Sequence, residues 1–472
     1  MLSLGALWSA LTGTGDTDAP VAQRQFADIA IDSRRVQEGS LFVALRGERQ
    51  DGHEFVADAF GRGAVAALVS RPVGCGTSVR VQGPFPAHAL QGPVCLQVPD
   101  VLCALQDAAA AWRRRHPRCR VVAVTGSIGK TSTKEAIAAV LASAGRVLKS
   151  EGNFNNEIGL PLTLFRLGAE HTHAVLEMGM YAAGEIARLA QIAGPDVGVI
   201  TNVGPVHLER LGSVDAIARA KAELAESLPD EGTLIVNGDD ARVAAMAQAT
   251  RARRLVRFGL GPECDVRASD VIGLGLEGFG ARISHCGTSV QLELPWLGKH
   301  NVYVALAACA VGVVEGLQWP AIDAGLRGCA NLGRLRVLRG AGGVTILDDT
   351  YNASPASSLA DLDLLSELPG RHLAVLGDML EMGTLEEEGH RQVGQRAGEV
   401  LSVLAAVGKR ARWIAEEAQR RNPALIAWSG QDREAAVAWL RTQVLPGDHL
   451  LVKASRGMAL EEVVAALAEE ES

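Results

Sequence analysis

One segment constrains the fold of this chain more than any other. The apolar residues Val121–Val124 run directly into the stretch Thr125-Gly126-Ser127-Ile128-Gly129-Lys130-Thr131-Ser132, and an amphipathic helical pattern follows. The two glycines allow the backbone to turn so that successive N–H groups point inward, and the start of the helix adds partial positive charge. This strand, loop and helix predict a phosphate-binding loop at the edge of a parallel sheet.

The same loop indicates how a nucleotide would be held. Lys130 would bridge the β- and γ-phosphates, and the Thr131 hydroxyl would coordinate Mg²⁺. The pattern G-x-x-x-x-G-K-[ST] is not fully met, because Val124 stands where its first glycine belongs. An ordinary strand-to-helix turn is therefore the alternative, although the intact Gly-Lys-Thr favours nucleotide binding. We expect phosphate contacts from Gly126, Ser127, Ile128, Gly129, Lys130, Thr131 and Ser132.

The length of 472 residues suggests about three domains. Alternating strand and helix signals predict an α/β protein with a smaller N-terminal α/β domain, a central P-loop domain with a parallel sheet, and a C-terminal Rossmann-like domain. We place these domains at residues 1–100, 101–330 and 331–472. Short alternating strands between 265 and 294 predict an antiparallel appendage. Other strands are predicted at 121–124, 174–177, 197–201, 233–237, 344–347, 372–376, 402–406, 424–428 and 449–452.

Composition excludes several kinds of partner. Lys and Arg number 46 against 54 Asp and Glu, a net charge of −8, and only 4% of residues are aromatic. A surface for nucleic acid needs clustered positive charge or aromatic platforms, so we expect none. There is no run of about 18 apolar residues, so no membrane span is expected. The eight cysteines form no C-x-x-C pair, which indicates free thiols in a reducing compartment, the cytoplasm.

Polar residues at predicted strand ends suggest a metal site beside the loop. Glu177 ends one strand, Asn202 and His207 follow another, and Lys221 lies on the next helix. Functional side chains gather beyond the carboxyl ends of parallel strands. Taken singly, the glutamate fits a salt bridge, the histidine a hydrogen-bonded loop, and the lysine a solvated surface. Their shared position after the loop favours a site, but spacing alone does not decide it.

Motifs along almost the whole chain resemble, in the same order, those of the Mur ligases, the ATP-dependent amide-forming enzymes that build the peptidoglycan stem peptide. The matching stretches are DSRRVQEGSLFVALRGERQDGHEF (32–55), TGSIGKTSTKE, GNFNNEIGLPLTL (152–164), EMG, TNVGPVHLERLGS, ARAKAE, GKHNV, GRL, LDDTYNASPAS (347–357) and LVKASR (451–456). DDTYNASP, VLGDMLEMG and LVKASRGMALEEVV are most similar to the member that joins D-Ala-D-Ala to UDP-MurNAc-tripeptide. The Asp-Asn-Pro-Arg motif of the diaminopimelate-adding member is absent.

The resemblance implies a role for each matching residue. Lys130, His207 and Lys221 would be catalytic. Thr131 and Glu177 would bind one Mg²⁺, and His207 with a carbamylated Lys221 would bind a second. The remaining ATP contacts would come from Asn301, Arg334 and Asp349. Substrate contacts would come from Ser33, Arg34, Asn156, Tyr351, Asn352, Lys453, Ser455 and Arg456. The partners would be UDP-MurNAc-tripeptide and D-Ala-D-Ala, and the enzyme would be a monomer.

One departure from the family pattern concerns the nucleobase. The family usually has His-Asn-x-x-Asn, but Val304 stands at the second Asn, so base reading would loosen or pass to Asn301. Two alternatives stay open: another amide ligase of the Mur or folylpolyglutamate-synthase type, and a non-catalytic nucleotide-binding relative. The 32–55 stretch argues against the folate type. The intact Lys130, Glu177, His207 and Lys221 argue against a relative that has lost catalysis.

Overall fold

The computed structural model describes residues 2–15, 18–47, 49–90, 92–206, 208–329, 332 and 335–469. These residues form three sheets, of five, nine and six strands, which follow one another along the chain. The α/β class predicted from the alternation of elements is confirmed. No helix within the described ranges has both the length and the apolar character that a membrane crossing requires.

The first sheet is parallel throughout, in the order β1-β2-β3-β5-β4. Its strands and helices are β1 (Ile29–Ala30), β2 (Leu41–Val43), β3 (Ala66–Val69), β4 (Thr77–Arg80), β5 (Val94–Gln97), α1 (Leu4–Thr12), α2 (Val56–Gly61) and α3 (Val101–Arg114). The carboxylate of Asp100 begins α3 by accepting a hydrogen bond from the Cys103 N–H. Apolar residues of α3 pack against both the first and the second sheet, so the N-terminal and central sections share a continuous core.

The second sheet has the order β14-β13-β12-β11-β10-β9-β6-β8-β7. Its strands are β6 (Arg120–Thr125), β7 (Arg146–Lys149), β8 (His171–Glu177), β9 (Val197–Ile200), β10 (Thr233–Asn237), β11 (Arg254–Gly259), β12 (Val266–Gly273), β13 (Phe279–His285) and β14 (Thr288–Leu294). Strands β6 to β12 pair in parallel, and β12, β13 and β14 pair antiparallel, which confirms the predicted appendage. Edge strand β7 and strand β11 were not predicted.

Helices on both faces bury the middle of this sheet. They are α4 (Lys130–Leu141), α5 (Gly159–Leu164), α6 (Glu185–Ala193), α7 (Leu208–Leu211), α8 (Val214–Glu226), α9 (Ala241–Ala245), α10 (Val302–Val314) and α11 (Trp319–Gly328). In β6, Val121 and Ala123 belong to one core cluster, while Val122 and Val124 belong to the cluster under α4 and α10. Burial on both faces explains why this strand is a continuous apolar run. The strand order of the sheet places the end of β6 between the ends of β8 and β9.

The third sheet has the order β15-β16-β20-β17-β18-β19. Its elements are β15 (Arg336–Gly340), β16 (Val344–Asp349), β17 (His372–Gly377), β18 (Val403–Val407), β19 (Ile426–Gly430), β20 (His449–Lys453), α12 (Pro355–Ser366), α13 (Glu386–Val400), α14 (Arg412–Arg421), α15 (Arg433–Arg441) and α16 (Glu461–Leu467). Five strands are parallel, as a Rossmann-like sheet requires. The sequence did not predict β15, an antiparallel edge strand that makes the sheet mixed.

The central and C-terminal sections contact each other. The Lys299 ammonium lies 2.8 Å from a carboxylate oxygen of Glu367, and the Leu208 N–H donates to the carbonyl of Glu381 at 3.0 Å. These contacts bring the loop before α10 and the start of α7 against α12 and the loop after β17. The carboxyl ends of strands in both sheets therefore approach the same boundary.

Candidate active site

The phosphate-binding loop follows β6, between β9 and β8 in the nine-stranded sheet. Gly126 and Gly129 have φ values of +150° and +81°, which favour glycine. A Cβ atom on Gly126 would lie 1.9 Å from the Thr201 hydroxyl oxygen, so the close approach of β9 also requires glycine there. Helix α4 begins at Lys130, immediately after this turn. The loop thus has the backbone that the sequence predicts for a phosphate cradle.

Residues after β9 brace this loop from the side. The side-chain oxygen of Asn202 accepts from the Ile128 N–H at 2.8 Å, and its amide nitrogen donates to the Ile128 carbonyl at 3.0 Å. The Ser127 N–H donates to the Asn202 carbonyl at 2.9 Å, and the Ser127 hydroxyl donates to the Gly204 carbonyl at 3.1 Å. The N–H groups of Ser127 and Ile128, expected to point at phosphate, are therefore engaged by the protein in this structure.

Two lysines lie close to the loop and line the same cavity. The Lys130 ammonium donates to the carbonyls of Gly126 at 2.9 Å and Ser127 at 3.2 Å, so it lies folded over the loop. Lys221 on α8 is only 2% exposed. Its burial and the nearby positive charge of Lys130 hold the pKa of the Lys221 amine well below its ordinary value. Both lysines line a cavity of about 80 Å³ together with Asn155, Asn156, Tyr181 and Glu185.

Glu177 lies at the end of β8, beside the loop, as the sequence predicts. It is 2% exposed, and its two carboxylate oxygens accept hydrogen bonds from the Thr131 hydroxyl at 2.9 Å and the Asn155 side-chain amide at 2.8 Å. The sequence reasoning missed Asn155, although the GNFNNEIG stretch that contains it was one of the matched motifs. Asn156, which was singled out, accepts from the Gly159 N–H at 2.9 Å and also lines the cavity.

The donor set suits a hard divalent cation and a nucleotide. A hydroxyl and a carboxylate in direct contact are oxygen ligands of the kind that Mg²⁺ takes, together with water and phosphate oxygens. Among the described residues, no group of three His, Cys, Asp or Glu side chains could enclose a metal. His207 lies outside the described residues, so its predicted part in a second metal site stays a prediction.

Several predicted residues of the C-terminal section meet at the ends of β16 and β20. Asp349 and Lys453 are paired across these strands, and the Lys453 ammonium contacts the Asp349 carboxylate. The ammonium also lies 2.9 Å from a carboxylate oxygen of Asp361 on α12. Burial lowers the pKa of Lys453, but the two carboxylates more than offset this, and the net shift is upward. Lys453, expected to contact substrate, is 1% exposed, and Asp361 was not predicted.

The other predicted residues of this section have mixed placements. The Arg456 guanidinium lies 4.9 Å from the centre of the Tyr351 ring, and the Ser455 hydroxyl is buried and accepts from the Leu380 N–H at 2.9 Å. Asn352 is exposed, and its side-chain oxygen accepts from the Ala353 N–H at 2.9 Å. Arg334 lies outside the described residues.

The predicted base-reading positions lie at the start of α10. The Asn301 side-chain amide donates to the Leu297 carbonyl at 2.7 Å, so one of its two N–H donors is engaged by the preceding turn. Val304 is 6% exposed and packs in the core under the sheet. Next to it, the Tyr303 hydroxyl donates to the Asp239 carboxylate at 3.0 Å. Burial and this carboxylate raise the pKa of Tyr303 to about 12, so the hydroxyl keeps its proton.

Ser33 and Arg34 lie in the first section, just after β1. Ser33 is buried and hydrogen-bonds the side chain of Asp58, which lowers the pKa of that carboxyl. Arg34 is exposed and pairs with Asp32 at 2.8 Å. The structure therefore brings together the loop, Glu177, Asn156 and Lys221. It forms a second cluster around Asp349 and Lys453, and it leaves Ser33 and Arg34 in a separate section.

Three family models match the chain, each over one of its sections. They are the Mur ligase family, catalytic domain, at residues 25–113; the Mur ligase middle domain, at residues 124–312; and the Mur ligase, glutamate ligase domain, at residues 333–456. The matches follow one another in the order of the three sheets.

Similar proteins and structures cover nearly the full length. The UDP-N-acetylmuramoyl-tripeptide–D-alanyl-D-alanine ligase of Synechocystis sp. is 40% identical, over 93% of this chain and 91% of its own. The enzyme of the same name from Bacillus subtilis is 38% identical, over 93% of each chain. A crystal structure of MurF from Acinetobacter baumannii superposes with a TM-score of 0.86 at 30% identity over 98% of both chains. MurF ligase from Thermotoga maritima in complex with ADP gives a TM-score of 0.78 at 29% identity, over 93% and 96%.

Proposed function

This chain belongs to the Mur ligase family, and we propose that it is the ATP-dependent ligase that joins D-Ala-D-Ala to UDP-MurNAc-tripeptide, giving UDP-MurNAc-pentapeptide for peptidoglycan synthesis. The observation that carries this proposal is the contact of Thr131 with Glu177 beside a glycine loop, in a chain 35–40% identical to enzymes of that name over nearly its full length. ATP binding is further supported by the ADP complex of the Thermotoga relative.

The chemistry proceeds in two displacements. A carboxylate oxygen of the tripeptide attacks the γ-phosphorus of ATP, the bond to the β-phosphate oxygen breaks, and ADP leaves. The amine of D-Ala-D-Ala then attacks the carbonyl carbon of the acyl phosphate. Phosphate leaves with the electron pair of the broken C–O bond, and the amine nitrogen loses a proton. The main obstacle is electrostatic, because a carboxylate must approach a polyphosphate.

The residues around the cavity would reduce this electrostatic repulsion. Lys130 would leave the loop carbonyls and place its ammonium on the β- and γ-phosphates. Thr131 and Glu177 would hold one Mg²⁺, while a carbamylated Lys221 with His207 would hold a second. Bound Mg²⁺ would supply positive charge between the reacting carboxylate and the phosphates. Asn155 would orient Glu177 by the hydrogen bond to its second oxygen.

We assign the remaining predicted residues to the two outer sections. Ser33 and Arg34 would contact the UDP-sugar, and Asn156 would contact the substrate at the cavity rim. Asn301, Arg334 and Asp349 would complete the ATP site. Substrate contacts in the C-terminal section would come from Tyr351, Asn352, Lys453, Ser455 and Arg456. Of these, the Lys453 side chain is buried.

The domain plan and the setting of the enzyme complete the proposal. We divide the chain at residues 1–100, 101–330 and 331–472, with the nucleotide between the central and C-terminal domains. The described part of the chain offers no membrane-spanning helix. We propose that the enzyme works in the cytoplasm as a monomer.

A phosphate-release assay tests the proposed function. Purified protein, MgATP and UDP-MurNAc-tripeptide should release phosphate rapidly only when D-Ala-D-Ala is added, and the product mass should equal that of the pentapeptide nucleotide. Single amino acids in place of the dipeptide should give no such increase. Phosphate release that needs a single amino acid instead would indicate a sibling ligase. Nucleotide binding without release would indicate a non-catalytic relative.

The buried Lys221 predicts carbamylation. Burial and the nearby Lys130 lower the pKa of this amine, which increases its neutral fraction. The neutral nitrogen can attack the carbon of CO₂, with loss of one proton, to give a carbamate that binds a cation through oxygen. With ¹³C-bicarbonate, we expect one protein carbamate signal in the ¹³C NMR spectrum that disappears in Lys221→Arg.

Lys134 provides the control for this labelling. It is 1% exposed, but its ammonium lies 2.9 Å from Glu135 and donates to the Ser150 carbonyl at 2.6 Å, so its charge is paired. Lys134→Arg should keep the carbamate signal. A signal that survives in Lys221→Arg, or that is lost in Lys134→Arg, would contradict the assignment.

A further inference from the structure

A buried cluster of three charges lies at the end of the six-stranded sheet. It consists of Asp349 on β16, Lys453 on β20 and Asp361 on α12, and we call it the Asp–Lys–Asp cluster. Lys453 contacts Asp349 and lies 2.9 Å from Asp361. Helix α12 follows the loop after β16 and packs along β20, which brings Asp361 to the ammonium. When both carboxyl groups are ionised, the cluster holds one negative charge in excess of its positive charge.

Exposure separates the two carboxylates. The Lys453 side chain is 1% exposed and that of Asp361 is 7% exposed, whereas that of Asp349 is 16% exposed. Asp349 is thus the member that solvent or a ligand can reach. Asp361 faces Lys453 from the interior, where a carboxylate without a cation would be strongly unfavourable.

The balance of charges in the cluster indicates a role for Asp361. A lysine paired with one carboxylate would neutralise Asp349 and make it a weak acceptor for a ligand. With Asp361 ionised, the Lys453 charge is already balanced from inside, and Asp349 keeps its negative charge at the surface. We infer that Asp361 is a positioning residue that supplies the counter-charge of Lys453, so that Asp349 can accept hydrogen bonds from a nucleoside diphosphate. This inference rests on the nucleotide role proposed above for Asp349.

The surroundings predict a pH dependence with a definite sign. Burial, the negative charge of Asp349 and a hydrogen bond with the Asp349 side chain raise the pKa of Asp361 to about 7, although Lys453 opposes the shift. His300, in the turn before α10, also faces the cluster. Burial and Lys453 lower the pKa of His300 to about 4, so it stays neutral near pH 7. Below pH 7, Asp361 gains a proton, Lys453 neutralises Asp349, and nucleotide affinity should fall.

Isothermal titration of the full chain with ADP and Mg²⁺ tests this inference. At pH 8, Asp361→Asn should raise the dissociation constant about tenfold, because Lys453 then has only Asp349 as its counter-ion. The ratio of the two dissociation constants cancels the titration of ADP itself. This ratio should shrink toward one as the pH falls from 8 to 6. An unchanged dissociation constant in Asp361→Asn would overturn the inference.

A double variant separates charge from packing. Adding Lys453→Met to Asp361→Asn removes the cation that needed a counter-ion, so most of the lost ADP affinity should return. If Asp361 only filled space, the double variant would bind as weakly as Asp361→Asn or more weakly, and the inference would be wrong. Asp363→Asn, on the same helix but 56% exposed and paired with Arg396 at 2.8 Å, should leave the affinity unchanged.

ADP binding by the wild-type protein distinguishes a failure of the proposed function from a failure of the role inferred for Asp361. If the wild-type protein failed to bind ADP with Mg²⁺, the proposed function would fail. If the wild-type protein bound ADP but Asp361→Asn bound it equally well, only the role of Asp361 would fail. Melting temperatures of all variants verify that each affinity is measured on folded protein.

Discussion

Lys130→Met is expected to lower kcat/KM for phosphate release by about a thousandfold, because it removes the one positive side chain that the loop itself can place on the transferring phosphate. Methionine keeps most of the volume and the apolar stem of lysine. In the structure the ammonium donates hydrogen bonds to the backbone carbonyls of Gly126 and Ser127, which methionine cannot replace. Losing these hydrogen bonds costs the fold much less than the positive charge contributes to the transition state. The melting temperature should therefore change little while activity collapses.

A second Gly-Lys pair provides the control for this variant. Lys409 follows Gly408, which also has a positive φ of +133°, but it lies exposed after β18 in the C-terminal section and is not followed by Ser or Thr. Lys409→Met should retain wild-type kcat/KM. Lys130→Met with more than about a tenth of wild-type activity would contradict the placement of nucleotide in this loop.

The phosphate loop illustrates how far local sequence reaches. The strand, the two glycines and the helix start are consecutive in the chain, so Val121–Val124, Gly126 and Gly129 predict their own geometry. Glu177 was also predictable, because the carboxyl ends of neighbouring parallel strands meet at one edge. The packing of β9 against the loop joins distant parts of the chain, so the sequence alone does not predict it. For this reason the engagement of the Ser127 and Ile128 N–H groups by Asn202 was not foreseen.

The C-terminal section shows the opposite limit. Lys453 is part of a motif, but its burial depends on α12, whose Asp361 is a further long-range partner. A single Asp in a helix reads as a solvated residue, because charged residues are rarely buried unless they are paired. Edge strand β15 was missed for a related reason: its residues are mostly exposed, with Val337 at 43%, and carry little apolar signal. Pairings between distant segments, more than local propensities, set these features.

Glu177→Gln is expected to raise the Mg²⁺ concentration for half-maximal phosphate release at least about tenfold and to lower kcat at saturating Mg²⁺ about a hundredfold. The carboxylate accepts from two donors, the Thr131 hydroxyl and the Asn155 amide. Glutamine has one acceptor oxygen and one donating NH₂ group, so it loses the negative charge and sets a donor against one of these donors. Asn155→Ala, which removes only the orienting amide, should give a smaller shift in the same direction.

Glu315→Gln is the control that distinguishes the loss of a metal ligand from the loss of a buried carboxylate. Glu315 is equally part of the nine-stranded section and its side chain is 7% exposed, but it pairs with Arg120 at 2.8 Å at the start of β6, the end opposite the loop. Losing that ion pair should lower the melting temperature and leave the Mg²⁺ dependence unchanged. Glu177→Gln should show the reverse: a large change in Mg²⁺ dependence that a loss of stability cannot produce, since Mg²⁺ titrations measure only folded enzyme. An identical Mg²⁺ dependence in wild-type and Glu177→Gln enzyme would mean that the cation binds elsewhere, and that the Thr131–Glu177 contact serves the fold alone.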